Sequence, residues 1–261
     1  MLIQEIIDFV FEIAPNPEWA DENTFEFGDG SKKVTGIGVA WWITSDIMLE
    51  LRDRGYQLGL THERIFYDLP RWYAWGQIPS ANELTANQNI ERIAAANGLT
   101  IHRFHSNLDL ADWGMGRAVL DQLGWGKCPT DWSRGVPVVE IEPMRLRELI
   151  ALVKARMRLP FIRYDGELEK IVRRVAVPWG GMCVGWNGTA CAAPLGFDTV
   201  IGGDITDGLI RFARENGWAV IDAMHHATEM EAMRRLTERV QQRFPELRVE
   251  FFENSCPWKT A

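Results

Sequence analysis

The chain has 261 residues, 46% hydrophobic and 25% charged, with a formal net charge of -8. This composition describes an ordinary soluble globule, one large α/β domain or two small lobes. The acidic balance argues against nucleic-acid binding, which rests on phosphate neutralisation by Lys and Arg. No apolar run is long enough to span a bilayer. The N-terminus has no basic n-region and no small-residue cleavage site, so no signal peptide is expected. Cys128, Cys183, Cys191 and Cys256 are scattered without a CxxC pair. They read as reduced thiols of a cytoplasmic protein and give no support to a zinc site.

Residues 2–14 read as an amphipathic helix, with Ile3, Ile6, Ile7 and Val10 on one stripe, ended by Pro15 and Pro17. Residues 25–30 read as a turn-rich loop. Residues 34–42 are an expected strand, with Gly36 and Gly38 where something approaches closely. A short helix over 45–54 precedes a strand over 57–61 that ends at His62-Glu63. The following loop is rich in aromatics and prolines. Ser80 and Glu83 form a capping box for a helix running to about residue 97. A strand over 99–104 runs into His105-Ser106-Asn107-Leu108-Asp109. Residues 112–123 are helical, and a boundary falls near residues 126–135.

Beyond it, residues 136–141 read as a strand, with Pro143 at the first position of a helix that Pro160 stops. Residues 172–177 are a strand before Pro178-Trp179-Gly180-Gly181. That loop lacks the lysine of a P-loop and reads as a structural turn. A short strand at 199–201 ends at Gly202-Gly203-Asp204, and a helix runs to about 216. The apolar run Trp218-Ala219-Val220-Ile221 is a buried strand. The helix after it spans 226–244, and a last strand covers 247–252. This alternation predicts α/β layers around mostly parallel sheets. Nine basic residues between Arg145 and Arg174 form a local excess, read as a solvated face, with attraction of a phosphorylated substrate or a partner as the alternative.

Three expected strand ends carry imidazole with carboxylate: His62-Glu63, His105-x-x-x-Asp109 and His225-x-x-x-Glu229. Four of the five histidines pair as His102/His105 and His225/His226. His225 and Glu229, spaced i, i+4, share one face of a helix. Mixed sets of this kind suit Zn, Mn, Fe or Ni better than Ca or Mg. Histidines with bridging carboxylates are also what a two-metal site requires, its ions about 3.5–4 Å apart. Each pair alone is commonly a satisfied core or surface pair. Three of them at three strand ends point to a site.

On these residues the sequence resembles the NGG-one-interacting-factor-three-like family, whose bacterial members include proteins catalogued as type 2 GTP cyclohydrolase I. The similarity runs from about residue 25 to 253. The family's Thr-His-His-Pro segment looks like Thr61-His62-Glu63-Arg64. Its His-Thr-x-x-Asp segment is similar to His105-Ser106-Asn107-Leu108-Asp109. Its Gly-Glu segment resembles Gly203-Asp204, and its Gly-His-Tyr-x-Thr-Glu segment resembles Met224-His225-His226-Ala227-Thr228-Glu229. The resemblance implies two similar α/β lobes, residues 1–125 and 126–261, with a dinuclear metal site in a cleft between them and no inserted domain. It implies two divalent ions per chain, with His62, Asp109, His225 and Glu229 as ligands and Asp109 and Glu229 as candidate bridges. His105 lies beside the metals, as a ligand or as the catalytic acid or base. His226 falls at the family's tyrosine position. A ring-shaped homohexamer is also implied.

Two positions depart from the pattern. Glu63 replaces the second histidine and is expected to take its place as an oxygen ligand, provided the strand has already turned there, with pairing to Arg64 or solvent as the alternative. Trp41-Trp42 stands where the family commonly carries an acidic residue, which bears on the substrate pocket. Trp72, Tyr73 and Trp75 read as packing on the protein or on a neighbouring subunit, with stacking on a purine base as the alternative. Twelve tryptophans fit a homo-oligomer, because tryptophan is enriched at interfaces. The expected function is metal-dependent hydrolysis of a nucleotide or phosphoester, GTP cyclohydrolase-like or phosphoesterase-like. The partner is a small molecule, and neither nucleic acid nor membrane is expected. The alternative is a non-enzymatic hexameric scaffold that binds metal or a partner.

Overall fold

The computed structural model describes residues 1–67, 80–184 and 186–260. The chain divides into two units, Met1–Ala111 with Met233–Asn254, and Asp112–Ala232 with Ser255–Ala261. The first opens on α1 (Ile3–Ile13), whose buried residues are Ile3, Ile6, Ile7 and Val10, the stripe its spacing predicts. Full burial of each such side chain stabilises by about 1.5–3 kcal/mol. Then come β1 (Phe25–Phe27), β2 (Gly36–Ala40), α2 (Ser45–Asp53), β3 (Leu58–Thr61), α3 (Thr85–Ala96), β4 (Thr100–Arg103) and α4 (Ser106–Leu110).

The second unit contains α5 (Met115–Leu123), β5 (Thr130–Asp131), β6 (Val138–Arg145), α6 (Leu146–Arg156), β7 (Arg163–Asp165), β8 (Ile171–Ala176), α7 (Asn187–Ala192), β9 (Thr199–Gly202), α8 (Asp207–Glu215) and β10 (Ala219–Asp222). α9 (His225–Arg243) starts there and ends in the first unit, followed by β11 (Arg248–Phe252).

The first sheet has the order β1-β4-β3-β2-β11. All its pairings are parallel except that of β1 with β4. β2 and β3 are buried at every residue, as their apolar runs require of central parallel strands, and β4 is buried throughout although only Ile101 in it is apolar. A Cβ at Gly38 would stand 2.1 Å from Leu51 Cδ2, so glycine there lets α2 close on the sheet. The last strand joins this sheet beside β2, although it follows the expected boundary by more than a hundred residues in the chain.

The second sheet has the order β5-β6-β8-β9-β10-β7. Its parallel centre, β8-β9-β10, is flanked by antiparallel partners. Together the two sheets give the expected α/β architecture with mostly parallel central strands.

Several local expectations change. The stretch read as a loop from residue 25 holds β1, because Phe25 and Phe27 find register partners on β4. Pro143 lies inside β6 and not at a helix start. The register with β8 slips between Glu140 and Met144, and an irregular ladder tolerates a residue that cannot donate. The Ser80/Glu83 capping box exists, but it caps a 3-10 turn at Ala81–Glu83 that precedes α3. β5, β7 and α7 were not expected. The first two are edge strands of two and three residues, too short to show a period.

Much of the basic run from residue 145 is engaged: Arg145 and Arg147 reach Glu169, Arg174 reaches Glu140, and Lys170 Nζ donates to the Asp198 and Gly217 carbonyls. The Trp72, Tyr73 and Trp75 segment lies outside the described residues. Among the described residues no helix is long and apolar enough to cross a membrane.

Candidate metal centre

In the first unit the site is built where β3 and β4 end. The amides of His62 and Glu63 both donate to the Trp41 carbonyl, at 3.0 and 2.9 Å. Two successive N–H groups aimed at one acceptor mean that the strand has turned. The condition for Glu63 to act beside His62 is therefore met. Thr61 holds the turn, its hydroxyl donating to the Glu63 carbonyl at 3.0 Å and accepting from the Ile43 amide at 3.2 Å.

His62 is fully buried, and its Nδ1 lies 2.9 Å from the Phe104 carbonyl. A carbonyl only accepts, so Nδ1 carries the proton and Nε2 carries the lone pair. His105 stacks on this ring, with centroids 4.4 Å apart. Ligand atoms of His62, Glu63 and His105 lie within 4.8 Å of one another, and Asp109 brings an oxygen within that distance of His62. His105 Nδ1 faces Glu22 Oε1 at 3.2 Å and Asp109 Oδ2 at 3.5 Å. Its backbone N–H donates to Asn23 Oδ1 at 2.5 Å.

The electrostatics follow from burial. Burial, and then the neighbouring His62, lower the pKa of His105. Burial works against the ionised Glu22, but hydrogen bonding from Ser106 and the neighbouring His105 outweigh it and lower its pKa. Arg103 Nε donates to the His62 carbonyl at 3.0 Å, and burial lowers its pKa too. Arg64 Nε stands 4.0 Å from Glu26.

His102 departs from the expected grouping. It packs among the rings of Phe11, Phe25 and Phe104, where burial pushes its pKa down to about 3. It belongs to the core, because side chains alternate along β4 and only the residues past the strand end reach the site.

In the second unit the site is built where β9 and β10 end and α9 begins. His225 and Glu229 sit one turn apart on α9, with Nε2 and Oε2 separated by 3.1 Å. The other ring nitrogen, Nδ1, is 2.8 Å from Asp204 Oδ2. The carboxylate accepts, so the same tautomer is selected as in His62. Two bends present these groups, and each places a non-glycine residue in the left-handed region: Asp204 at φ 50° and Met224 at φ 63°. Such residues persist where surrounding structure holds them, and they gather at functional sites. At Met224, Asp222 supplies the hold. Buried at the end of β10, it accepts from the Met224 amide at 2.9 Å and from Arg163 Nε at 3.0 Å, with Arg163 Nη2 as a second donor. Met224 stands where the resembling family has glycine, the residue for which this conformation carries no steric penalty.

The turn Pro178-Trp179-Gly180-Gly181 is a wall of this site. A Cβ on Gly180 would lie 1.8 Å from Glu229 Oε1 and 3.0 Å from His225 Nε2. Its amide donates to Thr228 Oγ1 at 2.9 Å, which in turn donates to the His225 carbonyl at 2.7 Å. His226 is buried beside His225, and burial first, His225 second, lower its pKa.

The first unit thus gathers His62, Glu63, His105 and Asp109, and the second gathers His225 and Glu229. Three contributors were missed as site residues in the sequence: Glu22, Asp204 and Gly180. Asp204 left a signal, since it closes a glycine pair at a strand end. Glu22 left none, because it reaches His105 only through the folding of an irregular segment.

The family model described as Duf34/NIF3 (NGG1p interacting factor 3) matches residues 1–257. The GTP cyclohydrolase 1 type 2 homolog of Clostridium perfringens is 27% identical over 253 residues, 93% of this chain and 92% of the relative. The homolog of the same name from Clostridium acetobutylicum is 27% identical over 238 residues, 87% of this chain and 85% of the relative. The solved structure of a Bacillus cereus protein related to NIF3 superposes with a TM-score of 0.80 at 14% identity, over 100% of this chain and 99% of that one. That likeness speaks for the fold, and the whole-length family match speaks for descent: the chain belongs to the Duf34/NIF3 (NGG1p interacting factor 3) family.

Proposed function

We propose that the protein is a metal-dependent hydrolase-like enzyme acting on a nucleotide or phosphoester. The observation that carries this reading is a device present in both units. A histidine has Nδ1 held by an oxygen acceptor while carboxylate oxygens stand close to the ring, for His62 through Phe104 and for His225 through Asp204. That is how proteins orient imidazole toward a metal. The donor set fits divalent first-row ions such as Zn, Mn, Fe or Ni: His62, Glu63 and Asp109 in the first unit, His225 and Glu229 in the second.

Two such ions per chain would supply Lewis acidity and lower the pKa of a water molecule. The chain's own residues do the remaining work. His105 is the general acid or base: Glu22 and Asp109 hold its Nδ1 proton, which directs Nε2 to take up or return a proton. Asp204 and the Phe104 carbonyl keep the two ligand histidines in one tautomer. The Gly180 turn lies close against Glu229, which limits its rotamers and keeps the carboxylate near His225. The name GTP cyclohydrolase 1 type 2 homolog, carried by the curated relatives, supports a nucleotide substrate.

The test is metal analysis of protein purified without chelator, followed by turnover of GTP and of a phosphoester with added Mn or Zn. We expect two ions per chain and a rate that His225→Ala abolishes. Glu63→Ala lowers the metal content toward one, and Glu63→His restores it. Absence of bound metal after incubation with Zn, Mn, Fe and Ni refutes the reading. Bound metal with no turnover leaves a metal-holding scaffold instead. Light scattering at micromolar concentration checks the expected homohexamer.

A further inference from the structure

Arg103, the last residue of β4, is only 7% exposed. Its neighbour His102 enters the aromatic core, so alternation along the strand sends Arg103 to the opposite face. Its backbone N–H donates to the Thr24 carbonyl at 2.8 Å. On the guanidinium, Nε donates to the His62 carbonyl at 3.0 Å. Among the described residues, neither Nη nitrogen donates to the protein, and no carboxylate forms an ion pair with the group. The Nη end is also the part of this side chain that still meets solvent.

A guanidinium stays charged at any working pH and carries five N–H donors. Taking such a cation out of water without a partner costs several kcal/mol, by order of magnitude. The neighbouring acids do not offset it. Glu63, Glu26 and Glu22 favour the charge from a distance, but burial outweighs them. Each of these carboxylates also has another partner. Glu22 faces His105 Nδ1 at 3.2 Å, and Glu26 accepts from the Ile65 amide at 3.3 Å and stands 4.0 Å from Arg64. Glu63 is a metal ligand in the function proposed above. Arg103 is therefore a cation with two donor groups to spare, bonded to the backbone of His62.

We propose that Arg103 is an anion-binding residue of the first unit's site, its Nη pair receiving a phosphoryl group of the substrate. Two parallel N–H donors match two phosphoryl oxygens, a recognition for which arginine is suited and lysine is not. The distant carboxylates reduce the attraction, but they supply no acceptor to the Nη groups, and a phosphoryl group does. The proposal rests on the nucleotide or phosphoester reading above and adds the residue that recognises the phosphoryl group.

The test is calorimetric titration of the full chain, metal-loaded and metal-free, with GMP, guanosine and inorganic phosphate. GMP should bind at least tenfold tighter than guanosine, and phosphate should bind too. Arg103→Gln, whose amide stands in the chain position of Nε, should weaken GMP and phosphate about tenfold to a hundredfold. It should leave guanosine affinity and metal content unchanged. Arg103→Lys, which keeps the charge without the fork, should fall between. A merely structural arginine would move GMP and guanosine together or lower the metal content, and either result overturns the proposal. So does phosphate held equally well by Arg103→Gln, or no binding of GMP and phosphate at millimolar concentration. If both variants misfold, a crystal of the unaltered chain grown with GMP decides. Phosphoryl oxygens about 3 Å from Arg103 Nη support the proposal, and a phosphoryl group elsewhere overturns it. Metal analysis of the same samples separates the two readings. No bound ion with an Arg103-dependent preference for GMP sinks only the metal-dependent chemistry. Bound ions with a preference that survives Arg103→Gln sink only the anion site.

Discussion

His62 and His225 both have Nδ1 held by an oxygen, but the acceptors differ in kind. For His62 it is the Phe104 carbonyl, part of the backbone, in a fully buried setting. For His225 it is the Asp204 carboxylate, a partly exposed side chain on a residue in the left-handed region. The first unit therefore orients its histidine with backbone just past the end of β4, and no side-chain substitution removes that acceptor. The second relies on side chains and on two bends of restricted geometry. The difference teaches that the same histidine tautomer is held in the two units with unequal exposure to mutation.

Gly180→Ala should break the comparison most severely. Its φ of 53° disfavours any side chain, and the new Cβ would stand 1.8 Å from Glu229 Oε1. Together these effects predict a loss of about 2–4 kcal/mol. A fall in melting temperature checks this, and under the proposed metal-dependent function a far larger loss of metal from His225 and Glu229 than from His62 and Glu63 locates it.

The largest effect in the first unit is a pH dependence. His102 has a pKa near 3 in the folded chain against about 6.5 unfolded. Between those values the unfolded chain holds the additional proton, so stability falls as pH falls and is fully present above about 6.5. From well above pH 6.5 down to pH 5 the loss from this residue is about 2 kcal/mol. Denaturant titrations should show that slope, and His102→Phe should flatten it. An unchanged slope would mean that His102 is not buried uncharged.

Asp204→Asn sharpens the contrast between the acceptors. An amide has a weaker acceptor, and the expected loss of metal affinity is about tenfold to a hundredfold. Competition with a chelator measures it. Glu22→Gln should cost less affinity, because Glu22 serves His105 and not His62; its effect belongs in the pH profile of turnover.

Arg163→Lys should have the smallest effect, about 1 kcal/mol, since lysine keeps the charge and loses the fork on Asp222. Metal affinity should fall by less than tenfold. A loss as large as that of Asp204→Asn would make the Asp222 anchor, and not the carboxylate on His225, the controlling feature.

The readable part of this fold follows from periodicity. The stripe of α1, the continuous apolar runs of β2, β3, β9 and β10, and the i, i+4 pair on α9 are local patterns, and local patterns survive in a sequence. The ligand-type residues at strand ends were legible for the same reason, helped by a family resemblance that spans most of the chain. β1, β5 and β7 were not legible, because strands of two or three residues carry no period and exist only through their partners. Pro143 was misplaced because a helix start and a strand irregularity accept proline for the same reason, the absence of an N–H.

The sequence by itself determined the α/β class, the family, and which histidines and carboxylates stand at strand ends. Only the tertiary structure decided that His102 enters an aromatic core while His105 stacks on His62, since the two are three residues apart and the end of β4 separates their surroundings. It alone decided that the chain turns at Thr61, bringing Glu63 beside His62, because that turn depends on a carbonyl twenty residues earlier. And it alone placed β11 beside β2: strand pairing is set by hydrogen-bonding neighbours in space, and nothing in the order of residues along the chain specifies them.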